Sequence, residues 1–275
     1  MLNPTQVNYI MRIVIWLFAL AISCIPFVML FDLSSNGLGH LSLEFLFTNP
    51  VDSGRSGGIA SLLVSTLWIL LVCLAVVLPL GLSCALFLSE AVDEHSKLGR
   101  LLGHTLDILS GVPSIVYGLF GYTFFAHIMG LGFSIASGGL SLACMVLPYF
   151  VRMAELALRN SPQNYRVAAH ALNLSHMGFV WRVLLPSCHH GLIAATIIAT
   201  GRALAETAVL IFTAGYVTRM PNSWLDSGRT LSVHIYDLAM NVPGGTAPAS
   251  ATALVLVFLL LIINLGARKL SANNI

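Results

Sequence analysis

GLIAATIIATGRALAETAVLIFT, residues 191–213, is long and apolar enough to cross a bilayer, yet it carries Arg202 and Glu206 near its middle. A charge at bilayer depth costs roughly 2.5–3.5 kcal/mol on insertion scales, and such groups usually face a bundle interior or an aqueous path. The four-residue spacing puts both groups on one helical face, where they can partly neutralise each other. Two readings follow. The pair either serves a polar pathway or forms a structural ion pair that locks its helix against neighbours.

The rest of the chain supports a membrane setting. Hydrophobic residues make up 57% of the 275 positions and charged residues 9%, far below the quarter typical of soluble domains. The length leaves room for several spans of about 20 residues and little for a soluble domain besides. A formal net charge of +2, with no basic run, argues against nucleic acid. The five cysteines, Cys24, Cys73, Cys84, Cys144 and Cys188, show no CxxC or disulfide-framework spacing and are expected to be small buried residues. Cys188, His189 and His190 are consecutive, and consecutive helical residues do not converge on one ion, so no metal is expected there.

Six apolar segments emerge, at about 13–31, 59–88, 106–130, 135–158, 191–216 and 249–267. The first is too long for a signal-peptide core and reads as a retained span. Pro79, Pro113 and Pro148 fall inside segments, where kinks are expected. With the N-terminus cytoplasmic, the inner connections carry Arg12, Lys97, Arg100, Arg152, Arg159, Arg166, Arg182, Arg268 and Lys269. The outer ones carry Arg55, Arg219 and Arg229, a ratio of nine to three. The positive-inside bias therefore places both termini in the cytoplasm. Asp107 and Glu155 then lie near inner membrane ends, where headgroups and water make charges ordinary. Nothing matches GxxxxGK[ST], so ATP hydrolysis by this chain is not expected. HExxH, GxSxG and paired intramembrane aspartates are also missing, which removes the intramembrane protease class.

Between the fourth and fifth segments lies the longest inner connection, 159–190. Ser161-Pro162 makes a helix start, with the hydroxyl as N-cap, and 163–172 forms a short helix. Asn173 can take the left-handed conformation that ends it. Ser175 then caps a second helix running to Leu185-Pro186. By spacing alone this is either an amphipathic linker or an element that docks into a groove on a cytoplasmic partner.

Residues 167–186, VAAHALNLSHMGFVWRVLLP, resemble the cytoplasmic signature of ABC importer permeases: Glu-Ala-Ala, three residues, Gly, nine residues, an aliphatic, one residue, Leu-Pro. Ala168, Ala169, Val183, Leu185 and Pro186 match. Val167 stands where Glu is usual, and Asn173 where Gly is usual. The segments PLGLSCALFLSE (79–90), SGVPSIVYGLFGYTFF (110–125) and GRALAETAVLIFTAG (201–215) are similar to the A-type permease subunits of phosphate importers. The likeness covers roughly residues 57–268.

That resemblance implies an all-α membrane protein with the six-helix ABC importer (MetI-like) permease fold. Residues 1–57 would hold the first span and outer loop, 58–268 the permease domain with its 161–186 coupling loop, and 269–275 a tail. The implied partners are a homologous C-type permease, two cytoplasmic ATPase subunits carrying ATP and magnesium, a periplasmic phosphate-binding protein and the bilayer. No cofactor is expected on this chain itself. The resemblance also implicates Arg202 and Glu206 in phosphate passage, and Ala168, Ala169, His170, Asn173, Leu185 and Pro186 in ATPase coupling. Thr207 and Thr213 can add hydroxyls to the pathway. Two alternatives remain open: a permease for sulfate or molybdate, and a component that chiefly signals phosphate status.

Overall fold

The computed structural model describes residues 4–272, and it is helical from end to end apart from one small ribbon. The first helix, α1 (Pro4–Gly37), leaves most of its described apolar side chains exposed and packs mainly along the last helix. A short α2 (Leu43–Phe47) and an antiparallel pair, β1 (Pro50–Val51) with β2 (Ser56–Gly57), fill the connection to α3 (Ala60–Glu90). α3 runs unbroken past Pro79, whose presence costs one backbone donor.

The third apolar segment is not a straight crossing. It divides into α4 (Lys97–Gly111) and α5 (Ser114–Gly121), which meet at a 90° elbow. The reason is local: proline disfavours helical geometry in the residue before it, and Val112 is extended at φ −63°, ψ 132°. α5 continues through a wide π turn, Tyr122–Ile128. The fourth crossing, α6 (Ile135–Arg159), starts at a Ser134 cap that accepts from the Ser137 amide at 3.1 Å, and it contributes many of the core residues. It lies along α3, where a Cβ on Gly139 would meet Val72 at 2.5 Å; only glycine permits that approach.

α7 (Gln163–Ala171) follows, and Asn173 adopts φ 51°, the left-handed turn expected of it. Ser175 caps α8 (His176–Phe179) by accepting from the Gly178 amide at 3.2 Å. Three expectations for this region need correction. The Ser161 hydroxyl is buried without a partner and caps nothing, because the helix starts two residues later, after Pro162. The helix begun at His176 does not stop at Leu185-Pro186; it passes through a π turn, Val180–Leu184, into α9 (Leu185–Ala205). The missing Pro186 donor is absorbed in that turn. The fifth crossing therefore spans His176–Ala205 instead of 191–216.

After α9 the chain breaks and resumes as α10 (Ala208–Thr213). The connection beyond contains a helix that turn chemistry did not reveal, α11 (Leu231–Met240), capped by Thr230. α12 (Thr246–Ala272) closes the bundle. It takes in residues 269–272 of the expected tail, and 273–275 lie outside the described residues. Among the described residues, five helices are long and apolar enough to cross a membrane, and the bent α4–α5 pair makes a sixth. The cysteines divide: Cys73 and Cys188 are buried, whereas Cys24 and Cys84 are exposed on crossing helices, because those helices turn their faces away from the chain's own core.

Candidate anion site and coupling loop

Arg202 stands in the last turn of α9, where a cation suits the negative end of the helix dipole. Its guanidinium carbon lies 5.2 Å from the centre of the Tyr149 ring on α6, within cation–π range. Its Nε is buried and makes no hydrogen bond. No carboxylate among the described residues lies within 4.0 Å of it.

Glu206 caps the C-terminus of α9 at φ −75°, ψ 132°: its side chain keeps the α9 face one turn beyond Arg202, and only the backbone after it leaves the helix. The Glu206 carbonyl accepts from the Ser232 hydroxyl of α11 at 2.7 Å. Its carboxylate is within electrostatic reach of Arg202 and near the Ser114 hydroxyl at the start of α5. Thr207, half-buried, opens α10 without using its hydroxyl as a cap. Thr213 is buried and its hydroxyl donates to the Val209 carbonyl at 2.8 Å, so it serves its own helix.

Close packing places these groups. A Cβ on Gly121 of α5 would meet Ser141 Oγ of α6 at 2.0 Å and Thr213 of α10 at 2.9 Å. Three helices converge at that point, and the elbow residue Ser114 is carried to the break. Ser114, Tyr149 and Ser232 went unmarked in the sequence. Pro113-Ser114 was visible as a helix start, but nothing in one dimension pairs it with a residue 92 positions away.

The connecting loop is seated by charge. Arg166 of α7 pairs with Glu90 at the end of α3. Arg159 donates to the Leu88 and Val92 carbonyls at 2.6 and 3.2 Å, and to Glu155 at 2.8 Å. Glu155 is only 4% exposed and also pairs with Arg152 at 2.9 Å. It is thus an enclosed ion-pair centre, not the ordinary headgroup-level charge expected; the i, i+3, i+4 spacing of Arg152, Glu155 and Arg159 was the signal. Ala169 is buried against the core, and Leu185 packs on it. Ala168, Asn173, Pro186 and His176 are exposed. The side chain of His170 lies outside the described residues. Val167, Leu172, Met177 and Trp181 expose apolar surface around the loop.

A bundle of membrane-crossing helices with a helix–turn–helix standing out between two of them is the architecture of an ABC importer permease. The family model of the binding-protein-dependent transport system inner membrane component matches residues 77–272, and the chain belongs to that family. Its members are the membrane permeases of ABC transporters, not the catalytic subunits, and the chain is a multi-pass inner membrane protein. The chain is 33% identical over 261 residues to the probable ABC transporter permease protein YqgI of Bacillus subtilis, covering 86% of this chain and 88% of that one. It is 31% identical over 248 residues to the phosphate transport system permease protein PstA of Xylella fastidiosa, covering 88% and 84%. The inward-facing MetNI methionine ABC transporter shares the fold, with a TM-score of 0.62 at 20% identity over 79% of this chain and 94% of that chain.

Proposed function

We propose that this chain is the permease subunit through which an ATP-driven importer passes inorganic phosphate. The observation that carries the reading is Arg202: a permanent cation inside a membrane bundle whose guanidinium lacks a carboxylate partner. Glu206, one turn on, acts on it through space and makes no contact within 4.0 Å. The planar guanidinium fork suits two phosphate oxygens. Release is as necessary as binding in conduction, and Glu206 nearby moderates the charge. Thr207 lies at the same break and completes the proposed pathway set. The PstA-named relative supports phosphate over other oxyanions.

In this reading both termini and the α7–α8 loop face the cytoplasm. Ala168, Ala169, His170, Asn173, Leu185 and Pro186 form the coupling element that meets an ATPase subunit, with two such subunits carrying ATP and magnesium. A C-type permease completes the pair, and a periplasmic phosphate-binding protein delivers the anion. The chain itself holds no cofactor. Residues 58–268 act as the permease domain.

The test is uptake of labelled phosphate by cells or vesicles in which membrane levels of each variant are matched. Arg202→Gln is expected to lower uptake at least about tenfold, the scale of a lost charge-assisted contact. Near-normal transport would remove Arg202 from the path. Excess sulfate or molybdate should leave phosphate uptake unchanged; competition by either would assign the broader oxyanion class instead.

A further inference from the structure

α3 ends on a residue that does nothing for its own helix. Glu90 places a carboxylate at the C-terminus, where the helix dipole is negative and a cation is favoured. That end is already served by Arg159, which donates to the Leu88 and Val92 carbonyls. The Glu90 side chain is nonetheless only 9% exposed, and its partner is Arg166, 76 residues on in α7. A carboxylate so enclosed has to be paired, and the loop supplies the pair.

α7 has little else to hold it. Among its described apolar side chains Ala169 alone is buried, whereas Tyr165, Val167, Ala168 and Ala171 are exposed. One buried methyl group gives little stabilisation and no direction. Between the loop and the end of α3 lies a cavity of about 110 Å³, lined by Glu90, Arg166, Ala169, Leu174, His176 and Phe179. The loop is therefore not close-packed onto the bundle at this point. An ion pair across a void holds α7 by charge, without the rigid interlocking of a close-packed contact.

The end of α3 is itself anchored. Arg159 belongs to α6 and binds the last carbonyls of α3, and the two helices pack along their lengths, so they form one unit. α6 also carries Tyr149, the ring that Arg202 faces. A displacement of α7 thus reaches the helix beside the proposed anion site through two arginines, Arg166 and Arg159. We propose that the Glu90–Arg166 ion pair is the link that passes movement of the α7–α8 loop to α3 and α6, tying ATP hydrolysis to phosphate passage. Both are positioning residues that touch neither the anion nor the nucleotide. This rests on the reading of the loop as the coupling element.

The experiment reconstitutes the assembled transporter in lipid vesicles and measures, on the same preparations, labelled phosphate taken up and ATP hydrolysed. Glu90→Gln and Arg166→Gln should each lower the phosphate moved per ATP at least about fivefold, the lower end of a coupling between sites. The ATPase chains should stay bound and ATP hydrolysis should continue. The double variant Glu90→Gln with Arg166→Gln should be no worse than either single change, because residues in contact do not act additively. The charge reversal Glu90→Arg with Arg166→Glu should bring the ratio back to within about twofold of native. A native ratio in both single variants overturns the link. So does a double variant whose loss is the product of the single losses, and so does a reversal no better than the single changes. Departure of the ATPase chains from the single variants also overturns it, since the pair would then only fold the loop. Ala168→Arg separates the two levels, because it loads the exposed face of α7 and leaves the ion pair in place. Normal uptake and hydrolysis in that variant defeat the coupling element itself, whereas their loss together with a native ratio in Glu90→Gln and Arg166→Gln defeats the link alone.

Discussion

At the end of the bundle that carries the α7–α8 loop, Glu155 has one carboxylate oxygen on Arg152 and the other on Arg159, and Arg159 Nη2 donates to the Leu88 and Val92 carbonyls at the end of α3. Near the break between α9 and α10, Arg202 faces an aromatic ring and has a buried Nε with nothing to donate to. Both regions place charge among apolar helices. The first saturates every charge, as a buried ion pair must to offset its desolvation. The second leaves a cation with no carboxylate within 4.0 Å among the described residues, and Glu206 acts on it only through space. That contrast is what the proposed pathway role of Arg202 rests on.

The sharpest way to break that contrast is Arg159→Ala. Glu155 would keep a single partner at 4% exposure, and the Leu88 and Val92 carbonyls would lose their donor. Removing one member of a buried pair costs about 3–5 kcal/mol, so thermal unfolding in detergent should show a large fall in midpoint. Arg202→Gln, measured beside it, gives up only the contact with Tyr149, worth roughly 0.5–1 kcal/mol, and should unfold nearly as the native chain does. Equal falls in the two variants would erase the distinction.

The opposite end of the bundle offers a second saturated cluster and a smaller effect. Arg229 pairs with Asp237 at 2.9 Å, donates to the Tyr216 carbonyl at 3.0 Å and approaches His234 Nδ1 at 3.3 Å. Arg229→Gln should destabilise the α10–α11 connection by about 2–3 kcal/mol, the scale of hydrogen bonds to charged groups. Faster amide exchange across 214–240 with unchanged exchange in α3 would locate the damage. A uniform change would show that this cluster supports the whole bundle instead.

How far these regions could be foreseen from the chain depended on the range of the interactions. Asn173 at its left-handed turn and Ser175 at its cap are decided within four residues, and both stand as read. The apolar runs located the crossings, since hydropathy requires no partner. The elbow at Val112-Pro113 was visible as a kink but not as a 90° turn, whose size depends on what α5 packs against. The break after Glu206 was invisible, because local propensity favours helix there and the Ser232 hydroxyl that takes the Glu206 carbonyl comes from 26 residues away. Arg202 could be singled out by its depth, and its ring contact with Tyr149 could not.

The smallest effect concerns His234, and its sign can be worked out in advance. α11 is not one of the crossing helices. Burial, followed by the Arg229 guanidinium, pushes the His234 imidazole from its ordinary 6.5 down to about 4, with Asp237 pulling weakly the other way. The ring is neutral in the folded state, and its Nδ1 faces the Arg229 donor, a contact that a protonated ring would lose. When α11 opens, the imidazole regains its ordinary affinity and binds a proton below about pH 6.5. Protons therefore favour the open state: stability is full above 6.5 and is lost as pH falls toward 4. Between about pH 7.5 and pH 5.5 the opening free energy of α11 should fall by about 1 kcal/mol, read as faster exchange of its amides after correction for the intrinsic rate. His234→Asn should flatten that dependence. A slope that survives the substitution would assign it to another group, and the Arg229 cluster would then be saturated by hydrogen bonds without sensing protons.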